Sequence, residues 1–136
     1  MTNFELVREF HEKFKVHPLA SPNYTNKQLS EFVQRRADLL CEEIEETLAA
    51  DNLQDLIDGL VDTLYIAYGT LDLLGVDANA AFAEVHRSNM SKLGEDGEPI
   101  FNDQLKVQKG PNFTQPDLLP FVEQAMDGYL FEKAGE

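Results

Sequence analysis

The sequence predicts an all-α protein in which a four-helix bundle is followed by an irregular C-terminal arm and a short last helix. Between residues 4 and 92, apolar side chains recur every three or four positions, which is the spacing of one helix face. Beyond Lys92, glycine and proline interrupt the chain, and the helical period returns only at about Leu118. Residues 1–136 are therefore expected to form one domain, with its core at 4–92 and the arm at 93–136.

Each predicted helix follows from its period and its ends. Prolines predict a loop at residues 15–26, and Gly75 ends the third helix. Asp51, with Gln54 three positions later, predicts a capping-box variant at the start of that helix, and Asp77 predicts the cap of the fourth. The predicted helices cover residues 4–14, 27–49, 51–74, 77–90 and 118–131, while residues 98–109 are expected to form a short polar hairpin or an irregular arm.

The third predicted helix is apolar around most of its circumference. A four-helix monomer of this size is too small to cover so much apolar surface, so we expect a homodimer or homotetramer. The apolar positions are Leu56, Ile57, Leu60, Val61, Leu64, Tyr65, Ile66, Tyr68, Leu71 and Leu74.

Charge limits the partners that the protein can have. The chain has 25 acidic and 11 basic residues, a formal net charge of −14. Nucleic-acid polymers and anionic membranes both need a basic surface, so neither is expected as a partner. A polyphosphate would be repelled unless metal ions neutralised its site. With no apolar run of about 18 residues and no signal-peptide pattern at the N-terminus, the sequence predicts a cytoplasmic protein.

Two acidic pairs on neighbouring predicted helices indicate a metal site. Glu43 and Glu46 lie on one face of the second helix, and Asp58 and Asp62 on one face of the third, because residues three or four apart share a face. Facing pairs form a cage of oxygen ligands, which suits Mg²⁺, with Mn²⁺ as the alternative. Acidic helix faces are more often simply solvated, but these pairs interrupt apolar runs, where an unpaired charge is costly. The pattern predicts metal-assisted chemistry on a phosphate compound.

The same residues resemble the signature of the all-α nucleoside-triphosphate pyrophosphohydrolases, which include MazG-like proteins, dimeric dUTPases and phosphoribosyl-ATP pyrophosphohydrolases. That signature is Glu-Glu-x-x-Glu on one helix and Glu-x-x-Asp on the next. Residues 42–46 match the first element in full, and Asp62-Thr63-Leu64-Tyr65 matches the end of the second. The sequence departs at Gly59, where the family has Glu. Asp58 lies one position earlier on the same face and is predicted to replace that ligand, and the missing side chain at Gly59 to let the metal or substrate come closer.

The resemblance implies a MazG-like bundle that hydrolyses a nucleoside triphosphate to the monophosphate and pyrophosphate, with Glu43, Glu46, Asp58 and Asp62 as metal ligands. Glu42 either orients or deprotonates the attacking water, or bridges a further metal, or is a plain exposed charge. Cationic and amide groups should bind the phosphates; the candidates are Asn89, Lys92 and Lys109, with Arg36 as a weaker one that could instead pair with a nearby glutamate.

Other functions remain open on the sequence alone. Within the same chemistry, the substrate could be phosphoribosyl-ATP or a non-canonical nucleotide that must be removed. Outside it, the chain could be a non-catalytic helical interaction module with an acidic surface, or a protein that binds divalent metal without hydrolysis. The full Glu-Glu-x-x-Glu match, inside an apolar helix and at the right distance from Asp62, favours the enzyme.

Overall fold

The computed structural model describes residues 1–16 and 24–125 and confirms the all-α class. Its first four helices, in chain order, are α1 (Asn3–Lys13), α2 (Asn26–Ala49), α3 (Leu53–Leu73) and α4 (Ala78–Met90). A fifth helix, α5, begins at residue 119 and reaches residue 125, so the rest of the predicted last helix lies outside the described residues, as does most of the predicted 15–26 loop. None of the described helices is long and apolar enough to cross a membrane.

Side-chain caps fix where the helices begin. Thr2 and Thr25 form complete capping boxes at α1 and α2, and Asp77 caps α4 as predicted. The predicted Asp51 cap of α3 is wrong by one residue. Asn52 is the cap, because its side-chain oxygen accepts a hydrogen bond from the Asp55 amide at 2.8 Å.

α2 and α3 form an antiparallel helical hairpin joined by residues 50–52, and this pair is the most extensive packing in the fold. α1 lies against α3, where the Phe4 and Tyr68 rings have centroids 6.2 Å apart. Beside them, His11 Nδ1 lies 2.6 Å from an Asp72 carboxylate oxygen, which joins the two helices through a polar contact. α3 is therefore the central helix, with α2 and α1 packed on it.

The arm folds back onto the end of α4 without forming a strand in the described part of the chain. A single antiparallel bridge joins Phe101 and Val107, so the arm is the irregular alternative rather than a regular hairpin. The Gly110 amide donates to the Lys92 carbonyl oxygen at 2.8 Å. Arg87 then holds the next segment through a hydrogen bond from Nη1 to the Thr114 hydroxyl at 2.8 Å.

A stripe along α3 stays exposed in the single chain. We call this the α3 stripe; its five residues lie at the i, i+4, i+7, i+8 and i+11 spacing of one helix face. Each exposes between 52% and 74% of its surface, although all are large and apolar. The members are Leu53, Ile57, Leu60, Val61 and Leu64.

Candidate active site

The antiparallel register of α2 and α3 places the two predicted acidic pairs opposite each other. Arg36 Nε donates to the Thr70 hydroxyl at 2.9 Å, and Arg36 Nη2 donates to the Ile66 carbonyl oxygen at 3.1 Å, which fixes the register at one end of the hairpin. At the other end, Thr47 lies against Gly59. Between these points, Asp62 and Asp58 on α3 are near enough to Glu43 for their charges to act on it.

Glu43 is at the centre of the acidic group. Its Oε2 atom is buried and has no hydrogen-bond partner. Burial of the carboxylate raises the pKa of Glu43, and so do the nearby charges of Glu46, Asp62 and Asp58. The other three residues of the predicted ligand set, on both helices, therefore each act on Glu43.

A divalent cation would supply the counter-charge that Glu43 lacks. A buried carboxylate oxygen without a donor is costly, and like charges nearby raise that cost. A hard cation would satisfy the oxygen and remove the repulsion at once. Within residues 1–16 and 24–125, no three histidine, cysteine, aspartate or glutamate side chains could hold a metal ion in their present positions. The carboxylates are thus coupled through their charges without forming a closed coordination sphere.

Gly59 does not leave open space for metal or substrate, contrary to the expectation from the sequence. It is buried, and a Cβ built there would overlap the Thr47 hydroxyl oxygen and lie 3.2 Å from the Thr47 Cα. The space of the missing side chain is filled by α2.

The remaining predicted residues are more dispersed. Glu42 is exposed on α2, and Asn89 is exposed near the end of α4. Lys92 and Lys109 are carried on segments that meet through the hydrogen bond between the Gly110 amide and the Lys92 carbonyl. Lys109 Nζ lies 4.8 Å from the centre of the Phe113 ring, a cation–π contact. No described contact joins these three candidate phosphate-binding side chains to the carboxylates.

Sequence reasoning missed several polar contacts around the hairpin. Arg36 ties α2 to α3 instead of pairing with a glutamate, and burial lowers the pKa of its guanidinium. His11 is buried against Asp72, whose other carboxylate oxygen lies 3.4 Å from Arg8 Nε. Thr47 is a third residue that the sequence analysis missed. Its position four residues after Glu43, on the same helix face, could have indicated it.

Comparison with known proteins gives a family match over the same helices. The model of the family described as phosphoribosyl-ATP pyrophosphohydrolase matches residues 7–89, which include α2 and α3 entirely. A viral relative, the uncharacterized protein L479 of Acanthamoeba polyphaga mimivirus, is 29% identical over 136 residues, covering 94% of this chain and 51% of its own length. The chain thus spans about half the length of that relative.

A solved structure also matches. It is the crystal structure of a protein described as a "putative NTP pyrophosphohydrolase" from Exiguobacterium sp. 255-15. The two chains are 25% identical with a TM-score of 0.47, over 82% of this chain and 69% of the other.

Proposed function

Because the chain belongs to the phosphoribosyl-ATP pyrophosphohydrolase family, we propose that it is a Mg²⁺-dependent nucleoside-triphosphate pyrophosphohydrolase that releases the monophosphate and pyrophosphate. The family supports hydrolysis of a phosphoric anhydride bond. The metal and the range of substrates are the parts that the proposal adds.

The main support for the proposed metal site is the Oε2 atom of Glu43, which is buried and has no hydrogen-bond partner. This oxygen lies among three further carboxylates, and each of them raises the pKa of Glu43. A purely solvated acidic face would leave its oxygens in water, where no counter-ion is needed. Glu43, Glu46, Asp58 and Asp62 are the residues that would hold Mg²⁺, with Mn²⁺ as the alternative.

The reaction needs the triphosphate charge shielded and a water molecule directed at the α-phosphorus. When bound, the metal polarises phosphate oxygens and lowers the pKa of a bound water. Glu42, exposed next to Glu43, would orient that water or accept its proton. Asn89, Lys92 and Lys109 would bind the phosphate oxygens, and the docking of the arm on α4 brings the segments of the two lysines together.

Phosphoribosyl-ATP is the second candidate substrate, because the matching family model is described by that activity. The same carboxylates would serve there, since the bond that breaks is of the same kind. Removal of non-canonical nucleotides is a third use of this chemistry. These alternatives differ in the base and sugar presented to the same four carboxylates.

We also propose a homodimer or homotetramer as the working form. The α3 stripe supports it, because a second copy with the same stripe would cover these apolar side chains.

A pyrophosphate-release screen tests the proposal. Purified protein is incubated with canonical, oxidised and deoxy triphosphates and with phosphoribosyl-ATP, in Mg²⁺ and in EDTA. We expect release of pyrophosphate from at least one compound in Mg²⁺ and none in EDTA. Glu43→Gln should lose this activity and Glu45→Gln, its exposed neighbour, should keep it. Equal activity in EDTA, or in the Glu43→Gln variant, would refute the metal site.

A further inference from the structure

We propose that the contact between Gly59 and Thr47 is a positioning device that sets the spacing of α2 and α3 at which the four carboxylates share one site. The inference rests on the proposed function and assigns a role in it to two uncharged residues. It also accounts for the glycine that stands where the family signature has a glutamate.

The contact admits no side chain at position 59. Gly59 is buried, and an added Cβ would overlap the Thr47 hydroxyl while lying 3.2 Å from both the Thr47 Cα and Cβ. Those last two distances are shorter than ordinary van der Waals contact. The backbones of α2 and α3 can approach this closely only because residue 59 has no side chain.

Both sides of the contact are held by the helices themselves. The Thr47 hydroxyl donates to the Glu43 carbonyl oxygen at 2.7 Å, one turn earlier on α2. The Thr63 hydroxyl donates to the Gly59 carbonyl oxygen at 2.7 Å, one turn later on α3. Rotating Thr47 away from an added Cβ would break its bond to Glu43, and the Thr47 Cα and Cβ would still have to give by a few tenths of an ångström. The helices must move apart instead.

The contact lies among the proposed ligands, so any separation of the helices reaches them directly. Thr47 follows Glu46 immediately and lies one turn beyond Glu43, while Gly59 follows Asp58 and precedes Asp62 by three residues. No loop lies between the contact and these carboxylates to absorb a shift. It follows that Gly59→Glu, which restores the family residue, would weaken the site instead of adding a ligand.

The test compares Mn²⁺ affinity by titration calorimetry in the full-length wild type, Gly59→Ala and Gly59→Ala/Thr47→Ala, each shown to be folded by circular dichroism. We expect Gly59→Ala to bind Mn²⁺ about 10- to 100-fold more weakly, the usual effect of disturbing residues that orient metal ligands. The double variant should recover most of this loss, because the overlapping hydroxyl is gone and the remaining 3.2 Å contacts with the residue 47 Cα and Cβ need a shift of only a few tenths of an ångström. Gly59→Ala/Thr47→Ser, which keeps that hydroxyl, should not recover.

Ala67→Ser is the control, because Ala67 is exposed on α3 and a serine there adds an atom without filling a buried contact between the helices. It should bind Mn²⁺ like the wild type. A folded Gly59→Ala with unchanged affinity overturns the positioning role. If Gly59→Ala does not fold, a folded double variant that binds no Mn²⁺ overturns it equally.

Failure of the two proposals can be told apart. A wild type that binds no Mn²⁺ overturns the metal site and the positioning role together. If the wild type binds Mn²⁺ but hydrolyses no nucleotide, only the proposed reaction is refuted, and the affinities still decide the role of Gly59.

Discussion

At the scale of single residues, Asp58 and Asp55 show how one helical turn separates a ligand candidate from a structural charge. Asp58 acts electrostatically on Glu43 across the hairpin. Asp55 is engaged at the start of α3, where its amide and its carboxylate both bind the Asn52 side chain, at 2.8 Å and 2.9 Å. The two aspartates therefore make a matched pair for mutation.

We expect Asp58→Asn to lower kcat/KM by orders of magnitude while the protein stays folded. A metal supplies several kcal/mol to the transition state, and each 1.36 kcal/mol corresponds to about tenfold in rate. Asp55→Asn should change kcat/KM little. Both are measured on the nucleotide that the pyrophosphate screen selects. Near-full activity of Asp58→Asn would show that Asp58 is not a ligand. An inactive Asp55→Asn would instead place the site one helical turn nearer the start of α3.

The sequence could predict which carboxylates share a helix face, because helical spacing alone determines that. Glu43 and Glu46 follow from that rule, as do Asp58 and Asp62. The rule gives no information about how near two helices approach, so it could not reveal that Thr47 fills the space at Gly59. It also could not reveal that the Oε2 atom of Glu43 is buried without a hydrogen-bond partner.

At the scale of elements, the arm is attached to α4 through a charged pair. Arg87 donates to both carboxylate oxygens of Glu84, at 3.0 Å and 2.8 Å, and Glu84 also accepts a hydrogen bond from the Asp117 amide at 2.9 Å. The hydrogen bond from Arg87, followed by that from the Asp117 amide, lowers the pKa of Glu84 to about 2. Arg87 and Glu84 thus join α4 to the segment that leads into α5.

Because Arg87 and Glu84 attach the arm to α4, we expect low pH to weaken this attachment. Because the pKa of Glu84 is lower in the folded protein than its ordinary 4.5, its contribution is complete above pH 4.5 and is lost as the pH falls toward about 2. The protection factor of the Asp117 amide, with the intrinsic exchange rate at each pH divided out, should fall through that window. Glu84→Gln should exchange faster already at neutral pH, whereas Glu95→Gln, on the exposed turn of the arm, should not. A Glu84→Gln arm that stays protected at neutral pH would contradict this role.

Helix ends and packing faces were not equally predictable from sequence. The Asp77 cap and the stop near Gly75 follow from local chemistry, and Gly75 has the positive φ of 79° that glycine adopts readily. The cap of α3 was misplaced because Asp51 and Asn52 are both good capping residues, and only the geometry shows that Asn52 binds the Asp55 amide. The docking of the arm depends on contacts between residues that are far apart in the sequence. Hydrophobic periodicity does not predict such contacts.

At the scale of the whole molecule, the carboxylate group predicts that metal stabilises the fold. A ligand that binds only the folded state adds RT ln(1 + [L]/Kd), about 2.7 kcal/mol at a hundredfold excess over Kd. We expect a higher Tm in millimolar Mg²⁺ or Mn²⁺ than in EDTA. Asp55→Asn should keep that increase and Glu43→Gln should lose it. Identical melting curves of the wild type in EDTA and in metal would argue against a metal site.

The α3 stripe predicts that the chain assembles with further copies of itself. Large apolar side chains that stay exposed along one helix face are typical of interfaces, and here they lie on the central helix of the bundle. A charge placed in the stripe would be buried without a partner in an oligomer but would stay solvated in a monomer. We therefore expect the wild type to sediment as a dimer or tetramer at micromolar concentration. Leu64→Glu should shift it toward the monomer, whereas Leu105→Glu, on the arm and 81% exposed, should leave its sedimentation unchanged. A wild type that sediments as a monomer, or a Leu64→Glu variant that assembles like the wild type, would show that a second copy does not cover this face.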